Sequence, residues 1–200
     1  MQCLFDNAAA KRWLNAWGGR FGIVLALLAA CAALALLCPQ FLGVANLTNV
    51  VRQVSINGIL AVGVTLVLLT GGVDLSLGSV VALTGVAAAH LAHPGDYPLA
   101  VPVMAGILAG AACGGVNGLV VTRGQVPRFI ATLGMMTAAR GLALVLSNGR
   151  PISNMSPAMT RIAGDWAHVP IPTLILAAVA LGAWWLLRDT RHGRYLYAVG

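Results

Sequence analysis

Thr70-Gly71-Gly72-Val73-Asp74-Leu75-Ser76-Leu77-Gly78-Ser79 is the stretch whose reading decides the fold of this chain. It lies between two apolar runs, residues 55–69 and 80–89. A carboxylate between two segments of membrane grade is expensive to bury, so Asp74 is a candidate functional residue from the outset. Gly71 and Gly72 give the backbone freedom for a sharp reversal. Asp74, Ser76 and Ser79 follow them, and such residues before an apolar run favour the start of a helix, where their oxygens accept from unpaired backbone N–H groups. The pattern predicts that Asp74 caps the segment that follows, with Ser76 and Ser79 on the same helical turn. Capping and lining a transport path are compatible roles.

Composition agrees with a membrane chain. Of the 200 residues, 59% are hydrophobic and 8% charged, against about 25% charged in ordinary soluble domains. Six apolar segments stand out, at residues 21–38, 55–69, 73–89, 99–121, 129–146 and 171–187. A span needs about 20 residues. The second and third segments are short and share the Gly-Gly-Val-Asp junction. That shortness has two readings, a tight turn at the membrane surface or a discontinuity on a transport pathway. The expected fold is an all-α, polytopic membrane helical bundle of about six transmembrane segments. Residues 1–20 form an N-terminal tail and 21–200 one membrane domain. Leu28-Ala29-Ala30-Cys31 looks like a lipoprotein cleavage box. The apolar run continues past it to Cys38, and five more segments follow, so a spanning segment is expected instead.

The net charge of +7 belongs to cations flanking apolar runs, not to a nucleic-acid surface, because no basic stretch is interleaved with aromatics. With the N-terminus in the cytoplasm, Lys11, Arg12, Arg20, Arg123, Arg128, Arg188, Arg191 and Arg194 fall inside. Arg52, Arg150 and Arg161 fall outside, and Arg140 lies in the fifth segment, placed to snorkel towards the outer interface. This is the sense of the positive-inside rule. The only lysine is Lys11, and there is no Glu. No Gly-rich phosphate loop ending in Gly-Lys-Ser/Thr is present, so any ATP-driven work needs another chain. Cys3, Cys31, Cys38 and Cys113 match no zinc or redox spacing. His90, His93 and Asp96 read as a solvated loop, His168 and His192 are isolated, and no metal or cofactor is expected.

Gly106, Gly110, Gly114 and Gly118 recur every four residues in the fourth segment. They fall on nearly one helix face and predict close approach of a neighbouring helix. Asn117 sits beside that face and needs a hydrogen-bond partner in lipid. Asn57, in the second segment, either lines a path for a hydroxyl-rich solute or satisfies a neighbouring helix.

The Gly-Gly-Val-Asp-Leu-Ser run resembles the signature of inner-membrane permeases of bacterial sugar ABC importers, the ribose-type family. Further segments are similar in order. They are Asn46-Leu47-Thr48-Asn49-Val50 with Ser55-Ile56-Asn57-Gly58, Asn117-Gly118 followed by Phe129-Ile130-Ala131-Thr132-Leu133-Gly134, Arg140-Gly141-Leu142-Ala143, Asn148-Gly149-Arg150-Pro151-Ile152, and Thr190-Arg191-His192-Gly193-Arg194-Tyr195 through Gly200. The resemblance covers nearly the whole chain from about residue 40. It implies a permease subunit that moves a monosaccharide, ribose-like, across the bacterial inner membrane. It also implies a homodimer, a cytoplasmic ATP-binding subunit and a periplasmic sugar-binding protein. Asn57, Gly71, Gly72, Asp74, Ser76 and Ser79 become pathway or pathway-shaping candidates, and Arg191, Gly193, Arg194, Tyr195 and Gly200 lie near the ATPase coupling region. The family runs to about ten spans and continues past the position of Gly200 towards a coupling helix. The chain therefore reads as the N-terminal part of such a permease or as a truncated one, and truncation would put coupling to the ATPase in doubt. The rival is a non-transporting membrane assembly or receptor subunit.

Overall fold

The computed structural model describes residues 7–95, 97–166 and 169–200, with side chains from residue 22 onward. The described residues are almost entirely helical. In order they form α1 (Asn7–Leu37), a 3-10 turn (Pro39–Leu42), α2 (Val44–Leu68), α3 (Leu77–His90), α4 (Ala100–Thr122), α5 (Arg128–Leu146), the short α6 (Pro157–Ile162), a small hairpin β1–β2 (Asp165–Trp166 and Val169–Pro170), α7 (Ile171–Asp189) and α8 (Arg191–Val199). Two compact units are present, one ending at Val50 and the other covering Val51–Gly200.

In the first unit, Pro39 ends the long α1. The residue before a proline is pushed out of the helical region, and Cys38 has φ −128° and ψ 99°. The second apolar segment, read as short, is the later part of a 25-residue helix that begins in the first unit and continues into the second. The helix begins eleven residues earlier than the apolar run, and two polar side chains near its start bond backbone carbonyls. Asn46 Nδ2 donates to the Phe41 carbonyl (2.8 Å) and Thr48 Oγ1 to the Val44 carbonyl (2.8 Å).

In the second unit, α3, α4 and α5 pack on one another around Leu83, Ala139 and Ala143, with Val80, Val86, Cys113 and Met135 against them. Ala139 and Ala143 are small, which lets the helix backbones approach there. Links at the helix ends fix the directions. The start of α3 meets the end of α4 (Ser76 with Asn117), and its end meets the end of α5 (His90 with Leu146). So α4 runs antiparallel to α3, and α5 runs parallel to it. Elsewhere, the start of α7 lies beside the middle of α2. Ser55 donates to the Val51 carbonyl (2.7 Å), which leaves the Thr173 hydroxyl to donate to Ser55 at 2.8 Å. Arg52 pairs with Asp165 of the hairpin at 2.9 Å.

Among the described residues, four helices are long and apolar enough to cross a membrane: Val44–Leu68, Ala100–Thr122, Arg128–Leu146 and Ile171–Asp189. The first expected segment lies in the 31-residue α1, whose described part from Gly22 to Leu37 is apolar, and the third is the shorter apolar helix Leu77–His90. The 14 residues of α3 reach about 21 Å, short of the roughly 30 Å of a bilayer core. Large apolar side chains such as Ile107, Leu108, Leu144 and Leu181 face outward, as they do where lipid replaces water.

Candidate functional site

The site is built on the break between α2 and α3. Helix α2 closes with 3-10-type bonds, Thr70 N–H to the Val67 carbonyl and Gly71 N–H to the Leu68 carbonyl. Gly71 then takes φ +69°, a left-handed conformation open to glycine at little cost. The chain runs without regular structure until Leu77. Carbonyls freed by such a break need partners inside a membrane. The neighbouring helices supply them.

Asp74 stands before the helix without capping it, which corrects the sequence expectation. Its Oδ1 accepts from the Ser76 backbone N–H (2.7 Å) and the Ser76 hydroxyl (2.6 Å). This is an Asx turn, two residues back from where a capping oxygen would sit. Ser76 occupies the N-cap position in a helical conformation and makes no capping bond of its own. Its hydroxyl is turned back to the carboxylate instead, so its oxygen does not face the N–H groups of the first turn. Ser76 is 1% exposed, and its hydroxyl accepts from Asn117 Nδ2 of α4 at 3.3 Å. Asn117 thus finds its partner in the break itself.

Helix α5 holds the break from the other side. Arg128 Nη1 donates to the Thr70 carbonyl and also reaches Thr70 Oγ1 at 3.3 Å. One turn on, the buried Thr132 hydroxyl lies 3.4 Å from the Val73 carbonyl and 3.2 Å from the Phe129 carbonyl. Gly72 is buried beneath Arg128, where a Cβ would stand 2.9 Å from Arg128 Cδ. Neither Arg128 nor Thr132 was singled out from the sequence as a site residue. Arg128 reads there only as an orienting charge, and its spacing of four from Thr132 was the available signal.

These groups wall a cavity of about 400 Å³, with Thr70, Asp74, Gly114, Asn117, Gly118 and Arg128 in its lining. The glycine stripe of α4 divides there. At Gly106 a Cβ would touch the Ala88 Cβ and the Thr84 carbonyl at 3.5 Å, and at Gly110 the Thr84 methyl at 3.4 Å. At Gly114 and Gly118 it would meet nothing within 4 Å. The first two glycines let α3 approach, while the last two open the cavity.

The end of α8 closes on the same place. Val199 lines the cavity, and a Cβ at Gly200 would collide with the Leu69 carbonyl. Helix α8 is capped by Thr190, whose hydroxyl donates to the Leu186 carbonyl (2.6 Å) and accepts from Gly193 N–H (3.2 Å). Gly193 is buried in the α7–α8 reversal, where any Cβ would strike the Leu186 and Leu187 carbonyls. Arg191, Arg194 and Tyr195 are exposed.

Other sequence candidates lie elsewhere. Asn57 is exposed on α2 and is not in the cavity lining. Ser79 is buried in the first turn of α3. His90 and His93 are not simply solvated. His90 Nε2 lies 2.7 Å from the Leu146 carbonyl, which ties the ends of α3 and α5 together, and His93 Nδ1 lies 3.2 Å from the Asn154 carbonyl, which ties the segments that follow them. Asp96 and His168 lie outside the described residues.

A family profile described as branched-chain amino acid transport system / permease component matches residues 46–200. The chain belongs to this permease family. It is 42% identical to the ribose import permease protein of Escherichia coli (strain K12) over 201 residues, 98% of this chain and 62% of that protein. It is 39% identical to the ribose import permease protein of Bacillus subtilis (strain 168), over 90% of this chain and 57% of that protein. The L-arabinose ABC transporter permease protein of Azospirillum brasilense is 36% identical over 90% of this chain and 53% of its own length. The chain thus spans about six tenths of the curated relatives it matches. No solved structure matches it. Family and apolar helices together make it a membrane protein.

Proposed function

We propose that this chain is the permease subunit of an ATP-driven importer that moves a monosaccharide, ribose-like, across the bacterial inner membrane. The observation that carries the reading is the 42% identity to a ribose import permease over 98% of the chain. The break between α2 and α3 supports it, since interrupted helices are where membrane transporters place their pathways. Residues 21–200 are the membrane domain. The chain has no Glu and no Gly-Lys-Ser/Thr loop, so ATP hydrolysis is assigned to a separate cytoplasmic subunit. A periplasmic sugar-binding protein delivers the solute, and a second copy of the permease completes the pathway. The end of α8, from Arg191 to Gly200, lies nearest the ATP-binding subunit. Gly71, Gly72, Asp74, Ser76 and Ser79 shape the pathway rather than make first contact with the sugar. ATP binding then shifts the permease between outward and inward states through its different contacts with each.

The test is uptake by cells that lack their own pentose importers. They express this permease with the ATP-binding and binding proteins encoded beside it. Labelled ribose, arabinose, allose and leucine are offered separately. Ribose uptake that depends on all three proteins supports the reading. Uptake of leucine alone would move the chain to the amino-acid branch named by its family profile, and uptake of none would favour a non-transporting subunit.

A further inference from the structure

Among the described residues, Arg128 is the cation that reaches into the break. It stands at the first position of α5, directly after Pro127. Its guanidinium donates to the Thr70 carbonyl and lies 3.3 Å from the Thr70 hydroxyl. Thr70 lies in the turn that closes the C-terminal end of α2, where the peptide dipoles gather partial negative charge, so a cation there is favoured on electrostatic grounds too. The fit is tight, because Gly72 leaves room for the Arg128 stem that no other residue would leave. Thr132, one turn along α5, adds a second link at the Val73 carbonyl. Thr70 also lies in the wall of two cavities. One is the cavity beneath Asp74, and the other is a hollow of about 470 Å³ that Leu66, Leu186, Tyr195 and Val199 line. The guanidinium therefore fixes the residue that divides them.

We infer that Arg128 is a positioning residue for transport: by latching Thr70 onto α5 it makes the break and α5 move as one body. The inference rests on the permease reading above. A planar guanidinium offers donors in a fixed fork, and Nη1 is shared here between a carbonyl and a hydroxyl. A lysine ammonium keeps the charge but not that geometry. Without the latch the break is free to shift on its own, and solute-driven movement of one wall no longer carries the other.

Two measurements test this on the permease in native membranes with its partner subunits. The first is uptake kinetics normalised to membrane-inserted protein. Arg128→Met is expected to lower the maximal rate by about tenfold, as loss of a hydrogen bond from a charged group does, with KM changed by less than about twofold. Arg128→Lys restores part of the rate. The second measurement needs no transport. Thr122 lines the cavity, so Thr122→Cys, with the four native cysteines replaced by alanine, is labelled with a membrane-impermeant maleimide in inside-out vesicles. Arg128→Met is expected to raise the labelling rate several-fold. Gly72→Ala, which pushes the guanidinium aside without removing it, reproduces both effects and decides the matter should Arg128→Met fail to insert. Wild-type rate and wild-type labelling in the inserted variants overturn the latch. Should the wild-type permease take up none of the sugars, the sugar reading falls, and labelling alone decides the latch.

Discussion

At the scale of single residues, Asp74 shows how far a sequence pattern carries and where it stops. A carboxylate after two glycines and between apolar runs is visible as a local organiser from the sequence alone. Which donors it serves is not, because a helix start at residue 73 and one at residue 77 give the same hydrophobic pattern. The choice is made by Ser76, whose N–H and hydroxyl both turn to Asp74 Oδ1 and whose oxygen meets Asn117 across the bundle. Arg128 was illegible for a different reason: its partners lie 58 residues away in the chain. The Asx turn leads to a definite expectation. Asp74→Asn keeps a carbonyl oxygen where Oδ1 stands, so stability in detergent falls little. Asp74→Leu leaves two donors of Ser76 without an acceptor at a site that is 1% exposed, at about 1–3 kcal/mol for each buried unsatisfied group. Thermal unfolding of the purified variants should therefore rank wild type, Asn and Leu in that order, with Leu well below. If Asn falls as far as Leu, the charge matters and the hydrogen-bond account of the turn is wrong.

At the scale of elements, the helices long enough to span were legible as apolar runs, and their ends were not. Helix α2 starts eleven residues before its apolar run, over a mixed stretch that holds Asn46, Thr48, Asn49, Arg52 and Gln53, which a reading by hydropathy leaves out. Helix α3 is shorter than its run because Asp74 keeps the residues before Leu77 in a turn. The stripe of glycines on α4 was legible as a packing face, but its division into a contact half and an open half depends on where α3 ends. From that division, Gly110→Leu is expected to reduce the folded fraction, since the new side chain meets the Thr84 methyl at the α3 contact. Overpacking of this kind costs about 1–3 kcal/mol. Gly114→Leu enters the cavity instead, and the chain should fold to near wild-type levels while uptake falls. Fluorescence size-exclusion profiles and uptake per inserted molecule separate the two. Equal folding defects in both variants would mean that the lower half of the stripe also packs against a helix. The α7–α8 reversal is tested in the same way. Gly193→Ala sets a Cβ against the Leu186 and Leu187 carbonyls, so α8 should undock and protease cleavage near Arg191 should quicken. Cleavage at the wild-type rate would show that the reversal accommodates the methyl.

At the scale of the whole molecule, hydrogen bonds and charges point the same way across the second unit. The break, the end of α4 and the start of α5 meet at one end, through Ser76, Asn117, Arg128 and Thr70, and the end of α8 reaches the same place through Gly200. The opposite end gathers Arg52 with Asp165, Ser55 with Thr173, His90 with Leu146, and Ser156 with the Ala92 carbonyl. Arg123, Arg128, Arg188, Arg191 and Arg194 belong to the first end, and Arg52, Arg150 and Arg161 to the second. The excess of cations thus lies where the break is, and loops rich in Lys and Arg stay in the cytoplasm. This predicts an orientation with the break, the cavity and α8 on the cytoplasmic side, and the β1–β2 hairpin and the His90–Leu146 and His93–Asn154 ties on the periplasmic side. Fusions to a reporter active only in the periplasm should be bright at Gly95 and Met155 and silent at Arg123 and Gly200. Impermeant labelling of single cysteines at the same four positions, in intact cells and in broken ones, gives an independent reading. A periplasmic Gly200 would reverse the assignment. It would also remove α8 from reach of any cytoplasmic ATP-binding subunit, so the orientation and the proposed coupling stand or fall together.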